Sequence, residues 1–243
     1  MDKNHVIKQL NFVSSKLKDS NVKELLTNIA TRYKDLKSIE LEDQLTISGI
    51  LGSYLHQAYC DGRRLETPLE NGLVNEPRIK ELSDDLDKMF VKDVLLGKIP
   101  ESDVLFVKEG KVFMDIANTS FENLSPYWQY DNFMAGACAA RSVITNWDGI
   151  THENSQVRQY VTVAVANSIH EAWIARGNVA EWNEDLETAY INLSEEEKAK
   201  DLVHYQMATQ MMEALEHEMS TGQSWFLDEL NMDDNPDDDC LPG

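Results

Sequence analysis

Cysteine is scarce in this chain. Cys60, Cys138 and Cys240 are odd in number and far apart. That spacing argues against a disulfide framework and a paired-thiol metal site, so free thiols in a reducing compartment are expected. Six prolines and eleven glycines in 243 residues disfavour a loop-rich β fold. No apolar run approaches the length needed to span a bilayer. The opening Met1-Asp2-Lys3-Asn4-His5 has no apolar stretch, so no secretory leader is expected. These absences predict a cytoplasmic protein with no membrane partner. Catalytic signatures are missing too: there is no Gly-rich phosphate loop, His-Glu-x-x-His or Gly-x-Ser-x-Gly. Asp233-Asp234-Asn235-Pro236-Asp237 resembles the start of a calcium loop but lacks its glycine. No metal, cofactor or enzymatic activity is expected.

Positive charge is the second scarcity. Lys and Arg number 22 against 43 Asp and Glu, a net charge of −21. Residues 1–50 carry 8 basic and 7 acidic side chains (+1), residues 51–150 carry 10 and 16 (−6), and residues 151–243 carry 4 and 20 (−16). Such a field opposes a phosphate backbone, so direct nucleic-acid binding is not expected. It fits either plain solubility or an acidic face that imitates nucleic acid or docks on a basic partner.

What the chain does have is an internal echo. Leu55-His56-Gln57-Ala58-Tyr59 matches Ile169-His170-Glu171-Ala172-Trp173. Placing Ser125 on Ser194 sets Thr119 on Thr188, Phe121 on Tyr190 and Asn123-Leu124 on Asn192-Leu193. The same placement sets Asn132 on Asp201 and Ala139 on Ala208. Each copy therefore reads as a helix ending near an aromatic, a connection, an aromatic-x-Asn-Leu-Ser turn and a second helix. The connection is far longer in the first copy, which marks an insertion. Ser194 with Glu197 has the spacing of a capping box, and Ser125 precedes Pro126, a residue suited to the first helical position.

Ile169-His170-Glu171-Ala172-Trp173, the aromatic Tyr190, Leu193-Ser194-Glu195-Glu196-Glu197-Lys198 and Asp201 together resemble the RyR domain. That domain is the repeat of ryanodine receptors, also found in short bacterial and phage proteins. Leu124-Ser125-Pro126-Tyr127-Trp128-Gln129-Tyr130-Asp131-Asn132, followed by Ala135, Ala137, Ala139 and Ala140, looks like the second helix of phage-type members. The resemblance spans residues 51–60, 117–146 and 160–215. Trp182 stands as the counterpart of the tryptophan in the family's Gly-Trp-x-x-Gly segment. The resemblance implies a phage or bacterial binding module that recognises a nucleotide-derived small molecule or a protein partner. Sequestering a defence signal is one such role.

The expected fold is mainly α: two RyR-like helical units, an N-terminal helical segment and a small inserted β-hairpin. The N-terminal segment is residues 1–50. The first unit is 51–149 with its insertion at 61–116, the second unit is 150–227, and 228–243 is an acidic tail expected to be disordered. Helical periodicity marks residues 4–18, 22–33, 41–59 and 78–96. It also marks 126–146, 153–176 (ended by Gly177) and 194–219. Val104-Leu105-Phe106-Val107 and Val112-Phe113-Met114-Asp115-Ile116 around Glu109-Gly110 predict the hairpin. Residues 65–77 read as loop, and Asp148-Gly149 as a break in the chain. The small residues Ala135-Gly136-Ala137-Cys138-Ala139-Ala140 predict close helix packing.

His56 and His170 are read as structural anchors of the repeat, as are Tyr59, Trp173, Ser125 and Ser194. Candidate ligand contacts are Arg63 and Arg176, each placed after the first helix of its copy, with Trp182, Tyr190 and Trp128 as aromatic platforms. An arginine beside aromatics can hold an anionic or planar ligand by bidentate bonds and stacking. The competing expectation for both arginines is a salt bridge in an acid-rich chain. Self-association into a homo-oligomer is left open by the sequence.

Overall fold

A computed structural model describes residues 3–18, 22–176 and 185–223. Trp182, Gly177, Cys240 and the tail at 228–243 lie outside the described residues. The chain is mainly helical with a small antiparallel sheet. The helices are α1 (Lys3–Lys18), α2 (Val22–Ala30), α3 (Leu41–Asp61), α4 (Lys88–Leu95), α5 (Pro126–Thr145), α6 (Trp147–Ile150), α7 (Ser155–Ala175) and α8 (Glu195–Thr221). The strands are β1 (Ile79–Glu81), β2 (Leu105–Lys108) and β3 (Lys111–Asp115), in the order β1-β3-β2.

A helix, a 3-10 turn and a second helix occur twice in succession. α3 leads through the turn Phe121–Asn123 to α5, and α7 leads through the turn Tyr190–Asn192 to α8. The crossing of α3 and α5 is a backbone contact. A Cβ on Gly136 would stand 2.6 Å from Gly52 N, and one on Gly52 would stand 2.6 Å from Asn132 O. Only glycine at both places permits that approach. The alignment that sets His56 on His170 sets Ser48 on Thr162, and the one that sets Ser125 on Ser194 sets Gly136 on Tyr205. In the first pair Gly136 lies against the Ser48 backbone. In the second, the Thr162 hydroxyl donates to Tyr205 Oη at 3.1 Å. The helices thus meet at the same register, through backbone in one pair and through side chains in the other.

The main core draws on both pairs and on α2. Leu26 and Ile29, Ile47, Ile50 and Leu51, Ala139 and Val143, Val165 and Ile169, and Met211, Met212 and Leu215 form one cluster. A second core seats the insertion, joining Val6 and Leu10 of α1 to Leu105, Val112 and Met114 of the sheet and to Phe121, Leu124 and Phe133.

The hairpin turns at Glu109 (φ 52°) and Gly110 (φ 76°), the two positive φ values of a two-residue type I′ loop. The expectation of one helix over residues 78–96 is corrected. Ile79–Glu81 instead pairs with β3, Ile79 opposite Asp115 and Glu81 opposite Phe113. The Asp84 carboxylate then accepts the Leu86 N–H at 2.8 Å and starts a fresh 3-10 turn ahead of α4. The apolar residues of this span do not share one face: Leu82 is buried in the second core, whereas Ile79 and Met89 are 47% and 67% exposed. Asp148-Gly149 is likewise not a plain break: it sits inside the one-turn helix α6, with Trp147 and Ile150 buried.

Candidate functional site

Both repeat histidines fasten the connection that follows their helix. His56 and His170 are each 4% exposed, near the ends of α3 and α7. His56 Nε2 donates to Thr119 O at 2.7 Å, and His170 Nε2 to Leu186 O at 3.0 Å. Each ring stacks on the aromatic three residues later, Tyr59 at 6.2 Å and Trp173 at 5.8 Å between centroids. The acceptor carbonyls are not at aligned positions, since Thr119 aligns with Thr188 and the second acceptor is Leu186. Burial lowers His56 below the ordinary histidine value, opposed by its bond to Thr119. Tyr59 is raised by burial, against the nearby Arg63 and Arg78.

The two serines differ. Ser194 Oγ accepts the Glu197 N–H at 3.2 Å, so it caps α8. The reciprocal arm of the expected capping box is replaced by a pair between the Glu197 carboxylate and Lys200. Ser125 occupies the cap position of α5 but its hydroxyl makes no cap bond. That task falls to Asp87, whose Oδ1 accepts the Tyr127 N–H at 2.9 Å. Asp87 is 1% exposed, and desolvation raises its pKa more than Tyr127 and Ser125 lower it.

Each candidate arginine holds a carboxylate. Arg63 Nη2 meets Glu76 Oε2 at 2.8 Å, its Nε donates to Glu76 O at 3.1 Å, and its guanidinium lies 5.8 Å from the Tyr59 centroid. Arg176 Nε meets Asp131 Oδ1 at 3.1 Å, with Nη1 bonded to Ala172 O. Asp131 lies on α5, so this second pair ties the two helical pairs together. Trp128 is one turn before Asp131. Its ring makes an edge contact with Tyr127 at 5.1 Å and carries Lys80 Nζ at 5.7 Å. Tyr190 is 5% exposed and packs with Ala166 and Leu193, its N–H on Asn167 Oδ1. It is a core anchor in this geometry. Arg176, Tyr127, Trp128 and Asp131 therefore gather at one end of α5 and α7, while Arg63 sits apart with the insertion.

Sequence reasoning did not single out Asp87, Glu76 or Asp131. All three are acids among many, and only the fold selects them. A groove of about 470 Å³ opens elsewhere, between α1, α2 and the start of α3, against Phe12, Ile29, Arg32 and Asp43. None of the candidate residues lines it. Among the described residues no His, Cys, Asp and Glu group could hold a metal, and no helix is long and apolar enough to cross a membrane. No family model, curated protein or solved structure matches the chain.

Proposed function

We propose that the chain is a non-enzymatic binding module, built on two RyR-like helical pairs, whose partner is a basic protein. The observation that carries this reading is the state of the two arginines. Both already bind carboxylates, Glu76 and Asp131, so an anionic small molecule would have to displace an acid of the chain itself. The surplus charge points the same way. The four basic residues of 151–243 face twenty acids, a field that steers a cationic surface and repels phosphate.

Calorimetric titration with a panel of nucleotide-derived metabolites separates this from the small-molecule reading. No compound should bind the wild type. Binding that is lost in Arg63→Ala or Arg176→Ala would put the ligand at those arginines and overturn the protein-partner reading.

A further inference from the structure

The two histidine fasteners differ in one atom set. At the first, the position aligned with Asp201 is Asn132, and its amide donates to Trp128 O at 2.8 Å rather than touching His56. The neighbours of His56 Nε2 are Thr119 O and Cys60 Sγ at 3.5 Å, with Glu122 the acid that faces the ring. At the second, both ring nitrogens meet acceptors. Nε2 faces Leu186 O at 3.0 Å, and Nδ1 faces Asp201 Oδ2 at 3.1 Å. The residues involved are buried, His170 at 4% and Asp201 at 9% exposure.

A neutral imidazole has one N–H, and an ionised carboxylate has none. With Nε2–H given to Leu186, a neutral ring would turn the Nδ1 lone pair onto a charged Oδ2. That contact is repulsive where water is excluded. The arrangement is satisfied when one proton lies between Nδ1 and Oδ2, whichever atom carries it. Among the described residues, few other groups face the pair. From α8, Glu197 opposes ionisation of Asp201 and Lys200 favours it. From the 3-10 turn, Tyr190 faces Asp201, with Glu195 beyond it. On α7, Trp173 stacks on the ring, and Asn167 bonds Glu171 and the Tyr190 N–H.

We propose that His170 and Asp201 form a one-proton latch: with the proton between them the turn at 186–193 is fastened to α7 and α8, and loss of that proton releases it. The same turn carries Tyr190 and Leu193, which with Ala166 make a small separate core. It is a unit that can open without the main core. Burial raises the Asp201 carboxyl above its ordinary value, against the pull of His170. A raised carboxyl favours the folded, protonated pair. The pair holds its proton as one unit, and in the opened turn a free imidazole keeps that proton below the ordinary histidine value, so the stabilisation is level below that value and is lost as pH rises above it. The first helical pair, with Asn132 in that place, lacks the device. The inference concerns conformation and does not rest on the identity of the partner.

Amide hydrogen exchange on the full chain from pH 5 to pH 8, corrected for intrinsic rates, tests it. Protection at 186–193 should fall about tenfold or more across this range, a factor of ten per pKa unit of differential proton binding. Protection at 119–124 should not fall, and the lowered His56 should make it rise toward neutral pH. Asp201→Asn should flatten the profile at 186–193, and Glu197→Gln should move its midpoint to lower pH. Level protection at 186–193 in the wild type, or an unchanged profile in Asp201→Asn, overturns the latch. Should Asp201→Asn fail to fold, the wild-type profile and the Glu197→Gln shift decide, and the absence of either one overturns it.

Discussion

The Asp87 carboxylate accepts the Tyr127 amide at 2.9 Å across 40 residues of chain, so the insertion supplies the cap of a helix in the repeat. Ser125, which holds the cap position by sequence, leaves that amide to Asp87. Phe121, Leu124 and Phe133 of the repeat share a core with the sheet. The insertion is thereby built into the first helical pair and is not an ornament on it.

Removing that cap should matter, and removing its charge should not. Asp87→Ala should lower stability by about 1–2 kcal/mol, the range of a lost N-cap. Asp87→Asn keeps an acceptor for Tyr127. Desolvation holds the Asp87 carboxyl above its usual range. The sign follows: ionisation works against the fold, and this contribution diminishes as pH rises through the raised value. Asp87→Asn should therefore match or exceed the wild type at neutral pH, and the gap should close toward pH 4. Urea denaturation of the three proteins at both pH values measures this.

The glycine crossing should be the least tolerant point of the helical frame. In Gly136→Ala the new methyl meets the backbone at Gly52 and Ser48, with no flexible side chain to give way. Loss of about 1–3 kcal/mol or more is expected, the range of overpacked cores. Tyr205→Phe, at the aligned position, removes only the bond with Thr162. It should cost about 1 kcal/mol. Thermal unfolding of both variants checks the contrast, and equal effects would argue against a backbone crossing.

The two arginine pairs should also separate. Side chains of Arg176 and Asp131 are 18% and 19% exposed, whereas those of Arg63 and Glu76 are 26% and 65% exposed. Arg176→Ala leaves a mostly covered acid unpaired and should cost about 1–3 kcal/mol. Arg63→Ala should stay within about 1 kcal/mol, as exposed pairs do. A double-mutant cycle of Arg176 with Asp131 should show coupling, and one of Arg63 with Glu76 should show little.

Much of the helical frame was legible because burial follows helical period. Val6, Leu10 and Val13 repeat as the inner face of α1, and all three are at most 3% exposed. The hairpin was legible from Glu109-Gly110 and its flanking β-branched and aromatic residues. β1 was not, because three residues form a strand only against a partner, and β3 lies over thirty residues away. Its Ile79 fitted a helical pattern that tertiary pairing overrode. The matched positions Asn132 and Asp201 stood in the sequence. That one of them reaches a histidine and the other its own helix depends on how each connection folds back. The partners of Arg63 and Arg176 were legible as a class, since acids abound. The choice of Glu76 and Asp131 belongs to three-dimensional placement.

Native mass spectrometry of the chain isolated from its source cells, at low and raised salt, tests the functional account most directly. The account predicts a complex with a basic protein that dissociates as salt screens the attraction, and no added mass of nucleotide size. A nucleotide-sized adduct that survives raised salt would contradict it.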